Sequence, residues 1–194
     1  MAGVGPTYGV KLLVLTELNA DGSEKVDGKV VRITTPQQVS YDPQIIEGSR
    51  QELRGGDSVV ATVEDDDVLV GMNATFQDAI LAFEAMAMIG GGTLVGTAPD
   101  YTGYVPPTIA EQKASPRPPF KAEIYAAEYA EGAQNASDIV GYIKVTLWNA
   151  KGRIPTFAQQ DRNFVVPSYT IKGRENKAQS KPAFTIDRVA SLPV

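Results

Sequence analysis

Two runs of residues are the first places to look for chemistry: the acids Glu64-Asp65-Asp66-Asp67 and the glycines Gly90-Gly91-Gly92. Adjacent carboxylates offer the hard oxygen donors that calcium takes. This run lacks the alternating Asp-x-Asp-x-Asp-Gly order of a calcium loop and has no evident partner cluster, so a solvated turn between strands is expected. Consecutive glycines can cradle a phosphate where they open a helix. These follow a helical pattern, and no Lys-Ser/Thr comes after them. Gly3 to Gly9 fails similarly, because it precedes a strand pattern. The chain holds no histidine and no cysteine. Their absence removes the usual general base and the commonest metal ligand, together with thiolate nucleophiles, zinc-thiolate sites and disulfides. A serine nucleophile would be left with a lysine as base, and nothing marks such a pair. The expectation is a protein that is not an enzyme and has no metal and no cofactor.

The 194 residues suffice for one domain or a domain with a long arm, and 43% of them are hydrophobic, as in an ordinary globular core. A net charge of −5 disfavours a protein that grips phosphates along nucleic acid. Met1-Ala2-Gly3-Val4-Gly5-Pro6 has neither the basic flank nor the apolar stretch of a secretory leader. The apolar run Val10 to Leu15 is too short to span a membrane. Synthesis in the cytoplasm, solubility until assembly and no membrane partner are therefore expected.

The elements that would position any site read as mostly strand. Tyr8 to Leu18 is apolar on both faces and predicts a strand covered on both sides, ending at the turn Asn19-Ala20-Asp21-Gly22. Lys29 to Thr34 predicts a second strand. Residues 36–57 predict a long loop or extended hairpin, and Ser58 to Val63 and Val68 to Met72 two strands around the acidic run. A helix is predicted over about 77–89, capped by Thr75, with Phe76, Ile80, Phe83 and Ala87 as its packing stripe. The three glycines stop it, and a short strand, Thr93 to Gly96, follows. The proline-rich stretch 98–119 predicts a second long loop. Further strands are predicted at Phe120 to Tyr129, Ile139 to Trp148, Ile154 to Val166, Phe164 to Lys172 and Ala183 to Val189, with Asn149-Ala150-Lys151-Gly152 turning one hairpin. The whole predicts one domain over 1–194: a β-sandwich or half-barrel of antiparallel strands with one flanking helix.

Three stretches resemble the major tail tube proteins of tailed bacteriophages and related tail-like particles. They are Glu52-Leu53-Arg54-Gly55-Gly56-Asp57 running into Val59 to Thr62; Gly71 to Ala79 leading to Ile89-Gly90-Gly91-Gly92; and a C-terminal set. That set comprises Gly141-Tyr142, the hairpin to Phe157, Asp161 to Phe164, Pro167 to Lys177 and Leu192-Pro193. The resemblance implies a structural virion protein whose hexameric rings stack helically into a hollow tube that conducts DNA without binding it specifically. It also implies partners among sheath, tape measure, baseplate and terminator proteins.

On that reading Arg50, Glu52, Arg54, Gly55, Gly56 and Asp57 are candidates for contacts between rings, and Tyr142, Lys144 and Thr146 for the channel wall. Lys144 would need an acid such as Asp161 or Glu47 beside it in a channel that repels phosphate. The competing readings are a ligand- or carbohydrate-binding β-sandwich, a hydrolase using two carboxylates in a cleft, and another ring component such as a tail terminator.

Overall fold

The computed structural model describes residues 5–133, 135 and 137–193. Met1 to Val4, part of the leader and glycine readings, lie outside them. Nearly all the regular structure is antiparallel strand, as the alternating and doubly apolar patterns predict. β1 (Thr7–Glu17) lies between β2 (Val30–Ile33) and β9 (Phe120–Tyr129), and β9 pairs in turn with β10 (Ile139–Gly152). The last residues of β10 pair with β11 (Ser168–Arg174), which leads to β6 (Val68–Asp78) and β3 (Pro36–Ile46). β12 (Phe184–Val189) lies along β10 from Tyr142 to Leu147, so β10 changes partners partway along its length. β1 and β3 touch as well, which curls the sheet over its own core into a half-barrel.

Both faces of β1 are covered. Leu13 and Leu15 enter the main core with Ile124, Leu147 and Ile171, while Leu12 and Val14 join Tyr125 in a small cluster on the other face. At the centre Phe76 stacks on Tyr169, ring centroids 4.8 Å apart and planes 7° from parallel. Gly152 allows β10 to pass close by, because a Cβ there would collide with Ile89.

Four expectations change. The helix α1 is Phe83–Gly90, not 77–89. Thr75, Phe76 and Gln77 belong to β6, where Met72, Ala74, Phe76 and Asp78 are buried at period two. Phe76 and Ile80 mimic a helical stripe only because a strand and the start of a helix abut there. Ala82, not Thr75, precedes the helix and contributes no side-chain cap, whereas the glycine stop holds, with Gly91 at φ 72°. Second, of the two readings of 36–57 the extended hairpin holds and the long loop does not: the segment is the strand β3 and one side of a hairpin, β4 (Arg50–Gly55) with β5 (Ser58–Glu64).

Third, 98–119 holds the second strand of a hairpin, β7 (Thr93–Thr97) with β8 (Asp100–Val105), and a short helix α2 (Ile109–Ala114). A capping box starts α2: Thr108 Oγ1 accepts from the Glu111 amide and the Glu111 carboxylate accepts from the Thr108 amide. Fourth, Asn149 to Gly152 do not turn. They continue β10, and Ala150, Lys151 and Gly152 pair with Gly173, Lys172 and Ile171 of β11. Residues 153–167 are irregular apart from a bridge between Thr156 and Ser168.

Candidate assembly surface

β3 and β6 continue outward into β4 and β5. Ile46 pairs with Val68, the Asp65 amide donates to the Ser49 carbonyl at 2.9 Å, and Arg50 pairs with Glu64, so Pro36–Asp78 is one long hairpin. Its base is core. Its distal half keeps strand-forming apolar residues and covers none of them: Leu53 is 63% exposed, Val60 66% and Val63 66%, and Ile45, Ile46, Val59, Val68 and Leu69 are also exposed. A two-stranded ribbon with both faces in solvent is marginal alone.

The candidate ring contacts sit at this tip. Glu52 bridges Arg50 and Arg54, its two oxygens 2.7 and 3.1 Å from their guanidinium nitrogens. Gly55 pairs with Ser58 around the two-residue turn Gly56-Asp57, and Gly56 takes φ 65°, which a primed hairpin turn requires. The acidic run closes the neck between hairpin and base: the Gly48 amide donates to Asp67 and the Ser49 hydroxyl to Asp65. Among the described residues no three acids converge as metal ligands would.

The helix site is elsewhere, against β1, β2, β7, β8 and β10. Ala85, Met86 and Ile89 fill the core; of the expected stripe, Phe83 and Ala87 are half-buried and Ile80 is 59% exposed. Two side chains from the proline-rich region clasp the end of α1. Arg117 Nη1 donates to the Ile89 carbonyl at 2.7 Å and the Gly152 carbonyl at 3.3 Å, and the Tyr104 hydroxyl donates to the Gly91 carbonyl at 2.6 Å. Burial raises the Tyr104 pKa, and Arg117 partly opposes this. Between α1, β8, α2 and the prolines runs a groove of about 900 Å³, with Met88, Leu94, Tyr101 and Pro107 in its walls.

Tyr142, Lys144 and Thr146 do share one face of β10, but that face is largely covered. Thr146 is fully buried and its hydroxyl has no hydrogen-bond partner; Tyr142 packs against the cluster of Leu12, Val14 and Tyr125. The acids beside Lys144 are Glu123, at 3.8 Å, and Asp187, at 3.9 Å, while Lys121 lies 3.6 Å from Glu123. Asp161 instead faces Arg162 in the irregular segment, and Glu47 lies between β3 and β4 in the outer hairpin. The strand predicted over Ile154 to Val166 does not form, and β9 and β12 flank this part of β10. Burial, then the charge of Glu123, pushes the Tyr125 phenol up to about 12. The alternation of Phe120, Ala122 and Ile124 with Lys121 and Glu123 marks this polar row in the sequence.

One buried acid carries no sequence signal. Glu128 is 1% exposed, accepts from the Gly5 amide at 2.8 Å, and meets Arg188 Nε at 2.6 Å.

No family model and no curated protein matches the chain. Among solved structures it is similar to a chain in the cryo-EM structure of the anti-feeding prophage baseplate, 6-fold symmetrised. The identity is 10%, over 99% of this chain and 100% of that one, with a TM-score of 0.45. It is also similar to a chain in the cryo-EM structure of an extracellular contractile injection system, the PVC sheath-tube complex in the extended state. There the identity is 11%, over 97% and 95% of the two chains, with a TM-score of 0.36.

Proposed function

We propose that this chain is a structural protomer, without catalytic activity, that builds a tail-like tube by stacking hexameric rings, each copy reaching the next through the outer hairpin. The observation that carries this is the apolar exposure of that hairpin. Leu53, Val59, Val60 and Val63 cluster on a ribbon that cannot cover them itself, and clustered exposed apolar residues mark a contact surface. Copies joined head to tail by rotation and translation form an open filament. DNA passing through such a tube meets a protein of net negative charge, which favours passage over binding. Sheath, tape measure, baseplate and terminator proteins are the further partners of such a tube.

The test is negative-stain microscopy and sedimentation of the purified chain at rising concentration. Hollow filaments with six-fold end views support the reading; single closed rings that do not extend favour a terminator. A protein that stays monomeric at every concentration overturns it. The groove beside α1 favours a second reading, a ligand-binding module, whose mark is a saturable rise in melting temperature with a small apolar ligand and no filaments.

A further inference from the structure

Charge is divided unevenly along the chain. Residues 47–67 hold seven acids and two arginines, a net −5 equal to that of the whole chain, so the other residues together are neutral. The outer hairpin carries the entire imbalance, much of it at the neck acids 64–67.

The opposite sign collects on the solvent face where β10 meets β11. Lys151 pairs directly with Lys172, and Arg174 follows two residues on, with Ile171 before Lys172 and Gly173 after it facing the core. All three cations are exposed, and none has an ion-pair partner among the described residues. Like charges directly opposite on neighbouring strands are unfavourable. Across β11 the row continues to Asn73 and then to Asp42, whose carboxylate accepts from Gln44. The Asn73 side-chain carbonyl is buried without a hydrogen-bond partner. Among the described residues, no acid makes an ion pair with these three cations.

The neck acids cannot fold back onto it. Arg174 is level with Gly71 and Lys172 with Asn73, so 65–67 lie four to eight residues further along the same strand direction. At 3.3 Å per residue that is roughly 13–26 Å of hydrogen-bonded ribbon. A second copy displaced along the hairpin axis brings the two belts together.

We propose that the acidic neck of one copy docks on the Lys151, Lys172 and Arg174 face of the next, so that charge sets the register while the apolar tip supplies area. This rests on the assembly reading above and names the surface that receives the hairpin. The contact is heterologous, so it repeats without closing.

The experiment is a charge swap. One variant carries Lys151→Glu, Lys172→Glu and Arg174→Glu; the other carries Asp65→Lys, Asp66→Lys and Asp67→Lys. Each alone should raise the concentration needed for filaments about ten-fold or more, while a mixture of the two should form filaments near the parent's threshold. Unchanged circular dichroism and melting would establish that both fold, and Lys151→Gln with Lys172→Gln provides a milder version of the first. Parent assembly should also weaken toward 1 M salt, where exposed charges are screened within about 3 Å.

If both variants assemble like the parent, the docking face is wrong and the tube reading survives. If each loses assembly and the mixture does not recover it, the pairing is wrong. A parent that never assembles overturns the tube reading itself, and this inference with it. If a short DNA duplex binds the parent but not the first variant while assembly is unaffected, the face is a nucleic-acid site and the proposal falls.

Discussion

The base and the outer half of the Pro36–Asp78 hairpin are made from similar residues and end in opposite environments. In the base, Met72, Ala74 and Phe76 are at most 5% exposed; in the outer half, Leu53, Val60 and Val63 are each more than 60% exposed. Strand pairing runs through both, but β6 in the base has a second hydrogen-bonded neighbour in β11, whereas β4 and β5 pair only with each other. The larger difference is what lies against the face of the ribbon: the body core in one case, solvent in the other. Apolar residues in a strand are therefore evidence of a partner and do not say which chain the partner belongs to.

The largest effect should come from Phe76→Ala. It removes a buried ring stacked on Tyr169, and cavities of this kind cost about 3–5 kcal/mol. For a chain of this size that lowers the melting temperature by roughly 10 °C. Phe83→Ala, at a half-buried site, should cost clearly less. Calorimetry on the two variants ranks them, and a larger loss at Phe83 would place the centre of the core at the helix and not at β6.

Next comes the reverse experiment at the tip. Leu53→Ser combined with Val60→Ser should leave monomer stability within about 0.5 kcal/mol, as at ordinary surface sites. The same pair should suppress filaments at concentrations where the parent forms them. If melting falls as far as in Phe76→Ala, the tip belongs to the body's cooperative core and the contrast between the halves disappears.

The base was hard to read from sequence, for a definite physical reason. β6 passes into α1 within a few residues, so Phe76, Ile80, Phe83 and Ala87 fall at helical spacing although the first two are not helical. Periodicity taken across such a junction mixes two geometries, and only the alternation of Met72, Ala74 and Phe76 reveals the strand. The doubly apolar β1 was legible because both of its faces are covered, and the glycine stop because positive φ at Gly91 favours glycine. The Asn149–Gly152 signal misled because Gly152 serves a close approach to Ile89, which local sequence does not record. Proline counts likewise hid β8 and α2, whose prolines flank the elements instead of interrupting them. Of the candidate site, Gly55 to Asp57 were singled out as contacts between rings and not as the hairpin turn they form, while the acids facing Lys144 depend on pairing with β9 and β12 that sequence leaves open.

Hydrogen exchange gives a subtler measure of the same contrast. Amides of 50–64 should exchange much faster than those of β9 and β10 in the monomer, since their ribbon opens without exposing a core. In filaments the 50–64 amides should slow while those of β9 and β10 stay as they were. Equal protection before and after assembly would remove the tip from the contact between copies.

The smallest effect tests where the body ends at the amino terminus. Gly5 and Pro6 are tied down by the Glu128 carboxylate and by the Tyr129 amide, which donates to the Pro6 carbonyl at 2.9 Å. The Gly5 amide chiefly, and Arg188 after it, hold the Glu128 carboxyl below its ordinary pKa, although burial pulls the other way. A carboxylate with a lowered folded pKa contributes stability above its unfolded value of about 4.3, and that contribution disappears as pH falls through the folded value. Glu128→Gln keeps the shape and removes the charge. It should melt a few degrees below the parent at pH 7, and the gap should narrow once the pH drops below about 4, as the parent's own carboxyl gains a proton. Exchange at the Tyr129 amide should quicken in the variant if the tie is broken. Two melting curves that keep a constant separation down to about pH 3 would mean that the charge is not what holds Gly5.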